Sequence, residues 1–216
     1  MLLSVMHEYR VGNLKQKHVQ GILEAIENFH FIFSAITSQR SSGGISGMYA
    51  SHAIKLVNSE SFDERISTIN NLKIELKRRL PSYQEFEANF TEISYTDNTD
   101  KQKKLVQYIL AKIDSYYAGG LPIDYAQMTI EHLSPQNPKG EDPLENVGQL
   151  GNLILMNADL NNELDNKSFS DKKALLANSR VALDEVINNS EVWDKENVEK
   201  RTKYLSKIAY EKVWKL

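Results

Sequence analysis

The chain has 216 residues, a formal net charge of −3 and no cysteine, and 41% of its residues are hydrophobic. This length and hydrophobic content suffice for a folded protein with a sizeable core, and they exclude a disordered or fibrous chain. The absence of cysteine excludes disulfide scaffolds, thiol nucleophiles and cysteine-ligated zinc, and the slightly negative charge gives no global attraction toward nucleic acid.

No stretch of the sequence is suited to a membrane. No apolar run approaches the roughly 20 residues that span a bilayer, and His7, Glu8 and Arg10 interrupt the opening residues before any signal-peptide cleavage pattern. We therefore expect a soluble protein with no membrane partner. The lack of cysteine is compatible with the reducing cytoplasm, where we expect the protein to act.

The first half of the chain has the spacing of amphipathic helices, because apolar residues recur three and four positions apart. The predicted helices are 22–36, 48–58, 62–79 and 105–116. Between the first two, SSGGISG at 41–47 predicts a loop. The sequence therefore predicts a helical region over residues 1–120.

The second half breaks this helical rhythm. Residues 125–131 and 152–156 are short β-branched, aromatic or apolar runs typical of strands, and a polar stretch with three of the five prolines separates them. Short helices are predicted to follow, with Ser170 as an N-cap, and the stretch from Val198 to Leu216 is again helical. The order strand, loop, strand, helix is a layout that can hold one metal ion.

Polar side chains cluster on this unit. Glu131 and Asn161 offer oxygen ligands suited to a divalent metal such as Mg²⁺ or Mn²⁺. Because side chains alternate along a strand, we expect His132 on the opposite side from Glu131, where it can take a proton from water. Asn152 is expected to pin the loop that holds His132 through bonds from its side chain to the backbone.

An ordered set of motifs connects this region with a known family. They are TIEHLSPQ (129–136), GNLILM (151–156), LN (160–161), NKSFSDK (166–172) and a tail with Trp193, Arg201, Leu205 and Trp214. Over residues 125–216 the chain resembles the C-terminal domain of GmrSD-type modification-dependent restriction endonucleases. The preceding helices, with IENFHF and YILAKIDSYY, are similar to the helical portion of that family.

The family resembles the wider HNH, or ββα-metal, nuclease group, and this resemblance implies roles for the clustered residues. It makes His132 the general base, Glu131 the acidic metal ligand and Asn152 the middle residue of the motif. Asn161 lies nine positions after Asn152 and stands where the group has its last His. The resemblance thus implies a divalent metal, Mg²⁺ or Mn²⁺, held by Glu131 and Asn161.

Three more residues match family positions, and each has two readings. Lys172 is suited either to hold a non-bridging phosphate oxygen as a point charge or to be an ordinary surface lysine. Asn166 is suited either to contact substrate or to cap a helix, and Arg201 either to bind phosphate or to form a structural ion pair. The resemblance implies substrate binding for all three.

We therefore expect a mainly α protein with a small ββα-metal, HNH-like core, an α+β fold whose nuclease core and C-terminal helices occupy 121–216. The implied activity is metal-dependent cutting or nicking of DNA in a bacterial defence system that acts on modified or phage DNA. The alternatives are a DNA- or partner-binding domain that does not cut, a helical adaptor, and a nuclease that cleaves RNA.

One family motif is absent. Family members carry an N-terminal domain with a DGQQR-type motif that handles nucleotides and gates the nuclease, and no such motif occurs in this sequence. The resemblance therefore implies a nuclease half that works with an N-terminal DGQQR-type domain or subunit.

Overall fold

A computed structural model describes residues 1–38, 43–119, 124–179, 181 and 183–216. These residues are mainly helical and include a two-stranded antiparallel sheet, which confirms the α+β class. They form two compact units, one of residues 1–86 with 214–216 and the other of residues 87–213. The functional division predicted at residue 120 stays a prediction. None of the described helices has the length and apolar character needed to cross a membrane.

The first unit is helical. Its main helices are α1 (Leu2–Arg10), α2 (Gln16–His30), α3 (Gly43–Val57) and α4 (Phe62–Arg78), and a π-helical turn at Phe31–Ile36 extends α2. Their apolar faces meet in one core. Buried Glu8 of α1 accepts a hydrogen bond from Arg65 of α4 at 2.8 Å, so an ion pair joins these two helices.

The prediction of a loop at 41–47 is wrong for the residues of this segment that the structure describes. Residues 43–47 belong to α3, and residues 41 and 42 lie outside the described residues. Ile45 and Met48 are buried in the core of the unit. Burial of these side chains offsets the conformational cost of the glycines in the first turns of the helix.

The second unit contains the sheet. Its elements, together with the helix that straddles the two units, are α5 (Tyr83–Phe90), α6 (Lys103–Tyr117), β1 (Met128–His132), β2 (Leu153–Asn157), α7 (Ala158–Leu164), α8 (Phe169–Ala177), α9 (Glu185–Asn189) and α10 (Lys195–Ile208), and a π-helical turn at Ala209–Val213 follows α10. Both predicted strands exist, although residues 125–127 form a 3₁₀ turn rather than the start of β1.

The strands pair so that the two ends of the polar loop meet. Glu131 lies opposite Ile154, and His132 lies opposite Leu153. Leu133 and the buried side chains of β2 pack with α8, α9 and α10 in the core of this unit. The end of β1 is therefore held at the edge of a packed core.

The predicted N-cap at Ser170 is wrong, because Ser168 caps α8 and Ser170 lies inside its first turn. The Ser168 hydroxyl accepts a bond from the Asp171 backbone at 3.3 Å and donates to the Asp171 carboxylate at 2.7 Å. The N-cap of α8 therefore lies two positions before the predicted one.

Candidate active site

A polar cavity of about 340 Å³ opens where β1 ends, and it gathers most of the predicted site residues. Glu131, His132, Asn161, Asn166 and Lys172 line it. Glu131 and His132 share this cavity although side chains alternate along a strand. His132 is the last residue of β1, so the space beyond the strand end is reached from both sides.

Glu131 is paired with a buried lysine. Lys172 of α8 is fully buried, and its Nζ donates to Glu131 Oε1 at 2.5 Å and to the His132 carbonyl oxygen at 2.6 Å. Burial raises the pKa of the Glu131 carboxyl above its ordinary value, and the Lys172 ammonium opposes this rise. The Lys172 ammonium therefore stabilises the end of β1 through its bonds to Glu131 and to the His132 carbonyl. The phosphate contact predicted for Lys172 stays a prediction.

His132 is held in one tautomer by its neighbours. Its Nε2 lies 3.0 Å from the Tyr95 carbonyl oxygen, and because a carbonyl only accepts, Nε2 must carry the proton. The neutral ring then has its lone pair on Nδ1, the atom that can act as a base. Burial lowers the pKa of the His132 imidazole below its ordinary value, while the Tyr95 carbonyl and the Asp97 charge oppose the shift. The ring is therefore neutral at pH 7.

Asn152 lies behind the cavity and joins three segments. It is fully buried; its Oδ1 accepts bonds from Ser134 N at 2.8 Å and Trp193 Nε1 at 2.9 Å. Its Nδ2 donates to the carbonyl oxygens of Ser134 and Val147 at 2.9 and 2.8 Å. These bonds fix the turn that follows His132. The place of Asn152 in the catalytic set stays a prediction.

Asn161 and Asn166 come from α7 and the turn after it. Asn161 Nδ2 donates to Thr129 Oγ1 at 3.0 Å, which holds α7 against β1, and the amide oxygen is the atom of this side chain that can accept a hydrogen bond or ligate a metal. Asn166 is exposed on the cavity wall. Asp165, which precedes it and also lines the cavity, has a φ of 37°, a strained backbone for a residue with a side chain.

Arg201 lies outside the cavity lining, and its contacts favour the structural reading. Its Nε donates to Asp184 at 2.7 Å, and its Nη1 donates to the carbonyl oxygens of Gly151 and Leu153 at 2.7 and 2.9 Å. The side chain is buried with that of Asp184. Arg201 thereby ties α10 to the start of β2.

The cavity offers oxygen donors that suit a divalent cation. Glu131, Asn161 and Asp165 line it, although among the described residues no three His, Asp or Glu side chains are grouped to bind a metal. Mg²⁺ in proteins commonly keeps several waters and binds through one or two carboxylates plus substrate phosphates. The donor set therefore fits an ion bound together with water and substrate.

Three residues around His132 were missed by the sequence reasoning: Tyr95, Asp97 and Gln136. Gln136 stands in the motif TIEHLSPQ, so its position there was an available signal. Tyr95 and Asp97 lie more than thirty residues before His132, in a segment without a clear pattern. An isolated bridge between Ser94 and Gln149 and a backbone bond from Tyr95 to Gly148 hold that segment beside the cavity.

A strand pair, a helix and a polar cavity lined by a histidine and a carboxylate make up the candidate site. A family model described as the C-terminal domain of GmrSD restriction endonucleases matches residues 80–208, more than half of the chain. The chain therefore belongs to this family, and the resemblance found in the sequence is confirmed. No curated protein matches the chain.

Proposed function

We propose that the chain is the nuclease domain of a restriction system and hydrolyses phosphodiester bonds in DNA, with His132 as general base. The observation that carries the proposal is the geometry of His132, whose Nε2 donates to the Tyr95 carbonyl so that Nδ1 is the basic atom of a ring that lines the same cavity as Glu131. The family supports a restriction endonuclease activity. The succession β1, long loop, β2 and α7 supports an HNH-like ββα-metal core.

In the proposed reaction, Nδ1 of His132 takes a proton from a water molecule in the cavity. The water oxygen then forms a bond to phosphorus, the opposite P–O bond breaks, and the departing oxygen leaves with the bond's electron pair and is protonated from solvent. Asn152 acts indirectly, because it fixes the turn that carries the cavity wall after His132.

Glu131 and Asn161 are the residues that would hold a divalent ion, Mg²⁺ or Mn²⁺. Such an ion neutralises charge on the scissile phosphate and on the leaving oxygen. Glu131 brings a carboxylate, and Asn161 brings an amide oxygen from α7 on the same side of β1 as Thr129. Burial raises the pKa of the Glu131 carboxyl, and the Lys172 ammonium opposes that rise and so favours the ionised carboxylate.

The proposed substrate is modified or phage DNA, and the proposed partner is an N-terminal DGQQR-type domain or subunit that gates cutting. The restriction endonuclease family supports a DNA substrate, and the modified or phage DNA and the partner rest on the resemblance described in the sequence analysis. We propose that the protein acts in the cytoplasm, where invading DNA is met.

Plasmid cutting tests the proposal. Supercoiled plasmid is incubated with the wild-type chain and with His132→Ala in Mg²⁺, Mn²⁺, Ni²⁺ or EDTA, and open-circle and linear products are measured. Loss of the general base should lower the rate by about a hundredfold or more. His18→Ala, a half-buried histidine of α2, is the matched control. Cutting by His132→Ala at the wild-type rate contradicts the base assignment.

A second candidate function is DNA or partner binding without cutting. It is favoured by Asn161, whose amide already bonds Thr129 and stands where the HNH group has a stronger ligand, imidazole. A folded wild-type chain that shifts DNA in a gel but leaves plasmid intact with every metal, with and without the partner, supports this candidate.

A further inference from the structure

The side chains of Asp97 and Gln136 form a locked pair at the cavity. Asp97 N donates to Gln136 Oε1 at 2.9 Å, and Gln136 Nε2 donates to Asp97 Oδ2 at 3.2 Å. A backbone N–H only donates and a carboxylate only accepts, so the Gln136 amide cannot turn over without losing both bonds. The Tyr95 hydroxyl donates to the other Asp97 oxygen at 3.1 Å and holds the carboxylate in place.

The locked amide covers the basic atom of His132. Gln136 Nε2 lies 3.3 Å from His132 Nδ1, and the same amide nitrogen is the one that Asp97 turns toward the ring. Because Nε2 of His132 carries the proton, the Nδ1 lone pair accepts from Gln136. A water that gives its proton to Nδ1 must lie about 3 Å from that atom, in the position that the Gln136 amide nitrogen occupies. Gln136 and the attacking water therefore compete.

The cavity also needs neutral N–H donors to hold a phosphate. Its charged lining includes the carboxylates of Asp97, Glu131 and Asp165 and the ammonium of Lys172. Lys172 is fully buried and already donates to Glu131 and to a backbone carbonyl. An amide N–H binds a charged phosphate oxygen more strongly than it binds a neutral acceptor such as the imidazole nitrogen. Hydrogen bonds to charged groups are about twice as strong as those between neutral groups.

We propose that Gln136 is a substrate-contacting residue that covers Nδ1 of His132 in the empty site and donates to a phosphodiester oxygen when substrate enters. When the Gln136 N–H bonds the phosphate oxygen instead of the imidazole, Nδ1 is uncovered and a water molecule can reach it. Asp97 is a positioning residue, since it keeps the nitrogen of the amide toward the ring. The inference rests on the proposed nuclease function.

Steady-state kinetics on plasmid tests the substrate contact. Gln136→Ala removes one donor to a charged group, so KM should rise about tenfold or more while kcat stays within about threefold. The comparison variant is Asn137→Ala, which removes an exposed amide from the same cavity wall. A fall in kcat at unchanged KM, no change in either, or an equal rise in KM for Asn137→Ala overturns the proposal.

Nitrogen-15 NMR of the histidine rings tests the uncovering without catalysis. The His132 ring signals are identified by their loss in His132→Ala, and dimethyl phosphate, the smallest phosphodiester, is then added. In the wild-type chain the Nδ1 signal should move toward its position in Gln136→Ala, and in that variant it should stay unchanged. A wild-type Nδ1 signal that does not respond overturns the proposal.

The two proposals fail in different ways. If His132→Ala still cuts DNA, the nuclease assignment of His132 fails whatever the NMR result. If the wild-type chain cuts DNA and needs His132, but its Nδ1 signal ignores dimethyl phosphate, only the role of Gln136 fails.

Discussion

Lys172 shows how one buried charge shapes the candidate active site. Its ammonium pairs with Glu131 at 2.5 Å and is almost completely shielded from solvent. A buried ion pair contributes little relative to an apolar pair, yet removal of one partner leaves an uncompensated charge. The residue therefore acts first on the stability of the end of β1.

We predict that Lys172→Met lowers the free energy of unfolding by about 3 kcal/mol or more, because Glu131 is left buried and unpaired. The double variant Lys172→Met with Glu131→Gln should lose less than the sum of the single variants. Urea denaturation followed by circular dichroism measures both. The charge-matched control is Lys139→Met, an exposed loop residue. Equal free energies of unfolding for Lys172→Met and the control would show that the pair of Lys172 and Glu131 does not stabilise the fold.

The residues of the site differ in how far sequence could predict them. Glu131 and His132 are neighbours in the chain, so their proximity follows from the motif alone. Asn152 was expected to pin the loop that holds His132, but its contact with Trp193 depends on packing 41 positions away. Tyr95 and Asp97 had no local signal, because their roles arise only when their segment bonds to Gly148 at the backbone.

At the scale of elements, close packing of α10 on the turn before β2 sets the position of the sheet. A Cβ added at Gly151 would overlap the carbonyl oxygen of Val198 and the hydroxyl of Thr202. Gly151 N donates to that hydroxyl at 3.0 Å, and Arg201 donates to the Gly151 carbonyl. The helix therefore approaches the turn as closely as a glycine permits.

We predict that Gly151→Ala displaces α10 and costs about 1–3 kcal/mol in the free energy of unfolding, the usual cost of overpacking. Gly47→Ala is the matched control. Gly47 lies in α3 with no atom within 4 Å of an added Cβ, so the same change should be neutral or slightly stabilising. Thermal unfolding of both variants measures the difference, and an unchanged melting temperature for Gly151→Ala would contradict the prediction.

The elements themselves were predicted well where periodicity is strong and less well at their ends. The strands were placed to within a few residues because their β-branched and apolar runs are short and bounded by turn residues. The loop predicted at 41–47 failed because glycine and serine suggest a turn, whereas burial of Ile45 and Met48 favours the helix. In this segment the packing of buried side chains determines the structure, and the local preference of glycine and serine for turns does not.

At the scale of the whole molecule, the balance of charge bears on the proposed binding of DNA. The chain has 26 basic and 29 acidic residues, so attraction to DNA must come from local groups. Each phosphate contact by a cation releases counterions and makes binding depend on salt. A small number of such contacts gives weak binding that salt readily disrupts.

We predict that the affinity of the chain for DNA falls about tenfold or more between about 50 mM and about 200 mM salt. Fluorescence anisotropy with a labelled duplex in EDTA measures binding without cutting. Lys139→Met and Lys167→Met, exposed lysines near the cavity in sequence, should each reduce the salt slope by about one if they contact phosphate. Binding that persists unchanged at the higher salt would contradict the prediction.

The bonds around His132 also bear on how the chain folds. Tyr95 and His132 are 37 positions apart, and Glu131 and Lys172 are 41 apart, so each contact closes a long loop. Loop closure costs entropy before the contact can form, and distant pairings form more slowly than local helices. On refolding, the helices should gain their structure before the site does. A partly folded chain would then already be helical while the contacts that build the candidate site are still unformed.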